Sequence, residues 1–167
     1  CPWNGRVWPM TNSHVLEGLI RQWHRGRDAC GPVAADLLSR YVRLMFNDRD
    51  LARPNCYEHY NPLTGHASVY RGIDDYQHSW VLDPILRGVT GIEPGPAGLR
   101  VRPLPGLVQH ADVQNIVIRG KRIAQHFGGN HVVLFVRNPV YQGFDHVQYH
   151  VDQGMTHSIP LSVNAPI

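Results

Sequence analysis

"VTGIEPGPAGLRVRPLPG", from Val89 to Gly106, is where the chain changes character. Before Gly91 the apolar residues recur at helical spacing, and after it the segments are short, β-branched and punctuated by Gly and Pro. Upstream, Val15, Leu16, Leu19, Ile20 and Trp23 mark one face of a first helix. Asn12 or Ser13 is its expected N-cap and Gly26 its expected stop. Pro32 suits the first turn of a second helix, whose expected buried face is Val33, Leu37, Leu38, Tyr41, Val42, Leu44 and Met45. A third helix is predicted from an Asp74 or Asp75 cap through Tyr76, Trp80, Val81, Ile85, Leu86 and Val89, with Pro84 kinking or shortening it. Downstream, "EPGPAG" reads as a linker-like turn. "LRVRPLPG", "VQNIVIRG", "KRIAQHF", "HVVLFVRN" and "DHVQYHV" then read as strands, with hairpin turns at Gly120-Lys121 and Gly128-Gly129. The expectation is an α+β chain: helices over 1–91, an antiparallel sheet over 98–152, and an unpatterned tail over 153–167.

Composition narrows the function classes. The chain has 167 residues, 43% hydrophobic and 17% charged, which suits a globular protein with a real core. The sixteen Lys and Arg are scattered, the net charge is only +3, and no basic run carries interleaved aromatics, so nucleic acid is not an expected partner. No apolar run approaches the roughly 20 residues that span a bilayer, so no membrane is expected either. Cys1, Cys30 and Cys56 are odd in number and widely spaced. They read as free, mostly buried thiols of a reducing, cytoplasmic setting. Eleven histidines show no H-E-x-x-H spacing and there is no calcium loop, so neither a metal nor another cofactor is expected.

The long segment "FNDRDLARPNCYEHYNPLTGHASVYRGI", residues 46–73, is broken by Pro54, Pro62, Gly65 and Gly72. Loops of this length inside a compact domain are often functional. Three helices joined by turns alternate in direction, so the first and third run parallel. "WNGRVWPMTN" precedes the first and "EHYNPLTG" with "GIDD" precedes the third, which puts both clusters at one end of the bundle. Aromatic rings, Asn side chains and carboxylates on one rim are what a sugar site needs. Flat rings cover pyranose faces, polar groups meet hydroxyls, and carboxyl groups move protons.

"WNGRVWPMTNSHVLEGL", "YEHYNPLTG", "GIDDYQHSW" and "GLRVRPLPGL" together resemble the C-terminal part of the six-hairpin, (α/α)6-barrel glycosidases. The nearest groups are the mannosylglycerate-hydrolase-like and processing α-glucosidase (glycoside hydrolase family 63) enzymes, and the likeness covers most of residues 1–136. The resemblance implies an inverting hydrolase in which Glu58 matches the general base. Trp3 and Trp8 match the tryptophans lining the sugar subsite. This chain has Asn4-Gly5-Arg6 where the family carries Arg-Gly-Pro. Asn12, Tyr60 and Asn61 are further candidate sugar contacts, as are Asp74 and Asp75 where they are not helix caps.

The fold so implied is an N-terminal α-hairpin segment of an incomplete (α/α)6 barrel followed by a small antiparallel β-domain. The family's general acid lies upstream of these motifs, so the chain is expected to be the C-terminal portion of a glycosidase and inactive by itself. Its expected partners are an oligosaccharide or small glycoside, and a missing N-terminal barrel region or a complementary chain. Two other readings are a sugar isomerase or epimerase using His14, His59 and His78, and a non-catalytic carbohydrate-binding fragment.

Overall fold

A computed structural model of the chain describes residues 5–46, 56–67, 79–96, 98–128, 131–137 and 157–159. Three helices, α1 (Pro9–His24), α2 (Cys30–Met45) and α3 (Leu82–Thr90), precede six strands. The strands are β1 (Ile92–Gly95), β2 (Gly98–Val101), β3 (His110–Ile118), β4 (Lys121–Gly128), β5 (His131–Arg137) and β6 (His157–Ile159). The fold is α+β, as expected. Two compact units divide it, Cys1–Trp23 with Arg27–Leu86 and His24–Gly26 with Arg87–Ile167.

In the first unit, α1 begins at Pro9, earlier than the Asn12 or Ser13 cap expected from sequence. Proline at the first helical position lacks an N–H that would have no partner there, and its φ is already helical. Asn12 and Ser13 therefore sit inside the helix. Asn12 Nδ2 donates to the Trp8 carbonyl at 2.8 Å, while the Ser13 hydroxyl lies 3.0 Å from the Tyr41 hydroxyl. Gly26 ends α1 as expected. Its φ is +84°, and the next N–H, of Arg27, reaches back to the Gln22 carbonyl at 3.0 Å.

Leu16, Ile20 and Trp23 form the buried stripe of α1, whereas Val15 is exposed. On α2 the buried face is Gly31, Ala34, Ala35, Leu38, Tyr41 and Met45, so Val33 is turned to solvent. The small residues explain the rotation. A Cβ on Gly31 would lie 2.6 Å from the Trp23 ring, so α2 approaches through its glycine and alanines rather than its valine. Tyr41 closes the other end of this antiparallel hairpin by donating its proton to the Pro9 carbonyl at 2.9 Å. Ser13 must then be the donor in the Ser13–Tyr41 bond.

Helix α3 is shorter than its apolar pattern, being preceded by a short 3-10 helix over Ser79–Val81 and carrying Pro84 in its first turn. Val81, Pro84 and Gly88 are buried, whereas Trp80 and Leu86, expected on the inner face, are exposed. The Asp74 and Asp75 caps and Tyr76 lie outside the described residues.

The second unit contains two three-stranded antiparallel sheets, ordered β1-β2-β6 and β3-β4-β5, where one was expected. The "EPGPAG" segment is not a linker: Ile92–Gly95 pairs with Gly98–Val101 as a tight hairpin. The tail supplies β6, which pairs with β2 across Leu99 and Ile159. Ile92, Leu99, Val101 and Ile123 form the core, with Val108, Ala111, Ile116 and Ile118 packed on it. Gly91 carries φ +64° and is seated so tightly that a Cβ would lie 2.1 Å from the Arg102 carbonyl carbon. Its N–H reaches the Arg87 carbonyl and its own carbonyl accepts from Arg102 N–H, both at 2.8 Å.

The β3–β4 hairpin turns at Arg119-Gly120, both at positive φ, one residue earlier than the expected dipeptide. Gln114 and Asn115 together oppose Ala124, a β-bulge with Asn115 at φ +61°. The Gly128-Gly129 turn falls between paired Gly128 and His131, and residues 129–130 lie outside the described set. So does the expected "DHVQYHV" strand.

Candidate active site

The Glu58 loop is tied to the segment that leads into α1. Val7 and Tyr60 exchange both backbone hydrogen bonds at 2.9 Å, and Tyr60 also bridges to Ala67. Tyr60 is 0% exposed, and its hydroxyl accepts the Tyr57 N–H at 2.9 Å. That bond closes a four-residue loop with Glu58 and His59 inside it. Burial raises the Tyr60 phenol pKa above its ordinary value, so the hydroxyl stays protonated. His59 is buried with its ring 4.9 Å from that of Trp8, which is itself only 7% exposed. Two backbone bonds, one side-chain latch and one ring contact thus hold the short stretch that carries Glu58.

Asn61 organises the other side. Its Oδ1 accepts the N–H groups of Leu63 at 2.9 Å and Thr64 at 3.3 Å, and its carbonyl accepts the Gly65 N–H at 2.9 Å. This Asx-type turn lets the chain reverse at Pro62 and leaves Leu63 in solvent. Glu58 occupies the bend between the Tyr57 latch and this turn and is half-buried. Among the described residues no hydrogen-bond donor or cation is paired with its carboxylate.

The sequence candidates separate into roles. Trp8, Tyr60 and Asn61 lie on the two stitched segments around Glu58 and Asn12 lies one helical turn beyond Trp8, but their side chains are engaged with the protein itself. Trp8 and Tyr60 are buried, Asn12 bonds to the Trp8 carbonyl, and Asn61 makes its turn. Trp3, Asp74, Asp75 and His78 lie outside the described residues. Trp80, read from sequence as core, is 46% exposed and meets the His14 ring edge-on at 5.7 Å. An apolar ring face open to solvent is what a pyranose stacks on. The signal that would have found it is "HSW" placed ahead of a proline-limited helix start. His14 is exposed and His59 buried, each against a different tryptophan. Cys30 and Cys56 are free but half-buried, less enclosed than expected, and burial pushes the Cys56 thiol up. Among the described residues no helix is long and apolar enough to cross a membrane.

The α1–α2 hairpin and the aromatic loop bearing Glu58 fall in a region that is similar to glycoside hydrolases. More narrowly, residues 1–79 match the family of the mannosylglycerate hydrolase MGH1-like glycoside hydrolase domain. That match spans the α1–α2 hairpin and the Glu58 loop and ends ahead of the strands, so it does not extend to "GLRVRPLPGL". No curated protein and no solved structure matches the chain.

Proposed function

We propose that Glu58 is the general base of an inverting glycoside hydrolase of (α/α)6-barrel type. One observation carries the reading: a half-buried carboxylate, unpaired among the described residues, sits on a bend braced from both sides in the segment that matches a glycosidase family. A carboxylate so held accepts a proton from water as that water attacks the anomeric carbon. The leaving oxygen takes its proton from a second carboxyl group roughly 6.5–9.5 Å away. By the family resemblance, that acid precedes these motifs in the polypeptide. Trp8, Tyr60 and Asn61 act here as positioning residues. Trp80 supports a stacking surface, and Trp3, Asp74 and Asp75 complete the candidate sugar contacts.

The substrate class is an oligosaccharide or small glycoside, with mannosylglycerate, the compound in the family description, as the first to test. Exposed Val15, Val33, Leu82 and Leu86 suit burial under further barrel helices, in the same or a complementary chain. The free thiols support a cytoplasmic setting.

A glycosyl fluoride tests the base without the acid, because fluoride departs without protonation. The expected result is fluoride release from one anomer of mannosyl fluoride, with Glu58→Gln lowering the rate by about 10²-fold or more. Azide should restore turnover to Glu58→Ala, attacking the anomeric carbon as fluoride leaves and giving the inverted glycosyl azide. Equal release by the wild type and Glu58→Gln would overturn the assignment. Saccharide binding with no turnover would instead identify a carbohydrate-binding module. Loss of activity in His14 and His59 variants but not in Glu58→Gln would favour an isomerase.

A further inference from the structure

The solvent face of the β3-β4-β5 sheet carries a second group of chemistry-bearing residues, in the other unit. The register pairs His110 with Gly128 and Asp112 with His126. Paired residues and residues two apart share a sheet face, so these four positions lie together. Ala111 and Ile123 pack towards the core from the opposite face. Gly128 is also in register with His131 on β5.

The His126 imidazole donates from Nδ1 to Asp112 Oδ1 at 2.5 Å. That bond selects the tautomer in which Nε2 keeps its lone pair. Nε2 lies 3.3 Å from where a Cβ on Gly128 would be, and Nδ1 of His110 lies 3.4 Å from the same point. The two nitrogens therefore border one gap, opened by the missing side chain, and are no more than 6.7 Å apart. An ion bound at about 2.0–2.1 Å from two imidazoles needs them about 3–3.5 Å apart, a distance that rotamer adjustment of exposed rings supplies.

We propose that His110 Nδ1 and His126 Nε2 bind a borderline divalent transition-metal ion, zinc or copper(II), in the gap over Gly128, with Asp112 as the outer partner that orients His126. Carboxylate–histidine–metal relays of this kind raise the basicity of the ligating nitrogen. Imidazole pairs favour zinc and copper over calcium or magnesium, which need oxygen ligands. Among the described residues no group of three or more His, Cys, Asp or Glu is placed to hold a metal. The ion therefore keeps water in its remaining positions, and the site is open and exchangeable rather than a closed structural centre.

The test is calorimetric titration of the 167-residue chain with Zn²⁺ and with Cu²⁺ near pH 7.5. The expected result is one saturable site, tighter for copper, as the usual order of divalent affinities requires. His110→Ala and His126→Ala should each weaken binding at least 10-fold, and Asp112→Asn about 10-fold with the stoichiometry kept. Gly128→Ala removes no ligand but puts a methyl group into the gap, so it should also weaken binding several-fold. As a check that needs no variant, zinc should shift the ring-proton NMR signals of two histidines and leave the other nine in place. No saturable binding, or wild-type affinity in both histidine variants, would overturn the proposal.

Discussion

The buried phenols of the helical unit are satisfied, whereas the buried imidazoles, His59 in that unit and His24 in the strand unit, each keep an Nδ1 that is not. In the helical unit Tyr41 is 3% and Tyr60 0% exposed, and each hydroxyl has a partner within its own unit, Pro9 and Ser13 for one and the Tyr57 N–H for the other. In the strand unit His24 is as deeply buried, at 4%, but its Nδ1 has no hydrogen bond. Glu93 Oε2 lies 3.9 Å from that nitrogen, and Arg100 lies 3.9 Å from the same carboxylate oxygen. A phenol needs only one rotatable O–H and a lone pair satisfied, which nearby backbone can do. An imidazole has two nitrogens in fixed directions, and burial at the end of α1 does not meet both. The contrast predicts acid sensitivity at His24 in the strand unit and alkali sensitivity at Tyr41 and Tyr60 in the helical unit.

The largest effect expected is at Gly91. Gly91→Ala would place a methyl group against the Arg102–Pro103 backbone at a positive φ, where neither side can move cheaply. A loss of about 3–5 kcal/mol is expected in urea unfolding. If the strand unit then melts while the helical circular dichroism survives, the two units are separable. A single shared transition would remove that part of the comparison.

Tyr60→Phe is next. It strands the Tyr57 N–H and should cost about 1–2 kcal/mol. It should also reduce any Glu58-dependent hydrolysis more than it reduces saccharide binding, because it loosens the bend and not the surface. Equal losses of both would assign Tyr60 to sugar contact.

The pH dependence sharpens the contrast directly. Burial lowers the His24 pKa below 6.5, opposed by Glu93 and reinforced by Arg102, Arg100 and Arg87. The unfolded chain then binds the proton more readily than the folded one, so stability is full above about pH 6.5 and is lost as pH falls below it. Tyr41 works the other way. Burial pushes its pKa up to about 12, so its contribution is full below about pH 10 and is lost as pH rises towards 12. Melting curves across pH should have a shallower acid limb in His24→Gln and a shallower alkaline limb in Tyr41→Phe, where Tyr60 keeps the remainder. Acid and alkaline limbs unchanged in these variants would undo the comparison.

The smallest effect is at the surface. Glu17 and Arg21 form an exposed i,i+4 pair at 2.6 Å, and Glu17→Gln should cost no more than about 0.5 kcal/mol in the same unfolding measurement.

Much of this architecture is legible in the sequence where the cause is local. Helical periodicity set out α1 and α2, Gly26 ended the first of them, and Gly120 marked a hairpin to within a residue. Glycine at positive φ and β-branched runs act through their own backbone, so their effect does not depend on a distant partner. Composition likewise separated the helical half from the strand half near Gly91. Glu58 stood out because its motif carries a family likeness, and the match to residues 1–79 agrees with that likeness.

What the sequence did not show depends on neighbours far along the chain. Which face of α2 is buried was decided by how closely Gly31 can approach Trp23, so Val33 lost to two alanines. Pro9 outranked two good capping residues because the Trp8 segment is pinned by Tyr60. The tail strand His157–Ile159 has no pattern of its own and is a strand only because β2 offers an edge. The gap between His110 and His126 exists because strand register, not spacing along the chain, sets a glycine beside one imidazole and an aspartate beside the other. Local propensity is encoded residue by residue, whereas these features arise from pairings whose free energy appears only when the chain has closed on itself.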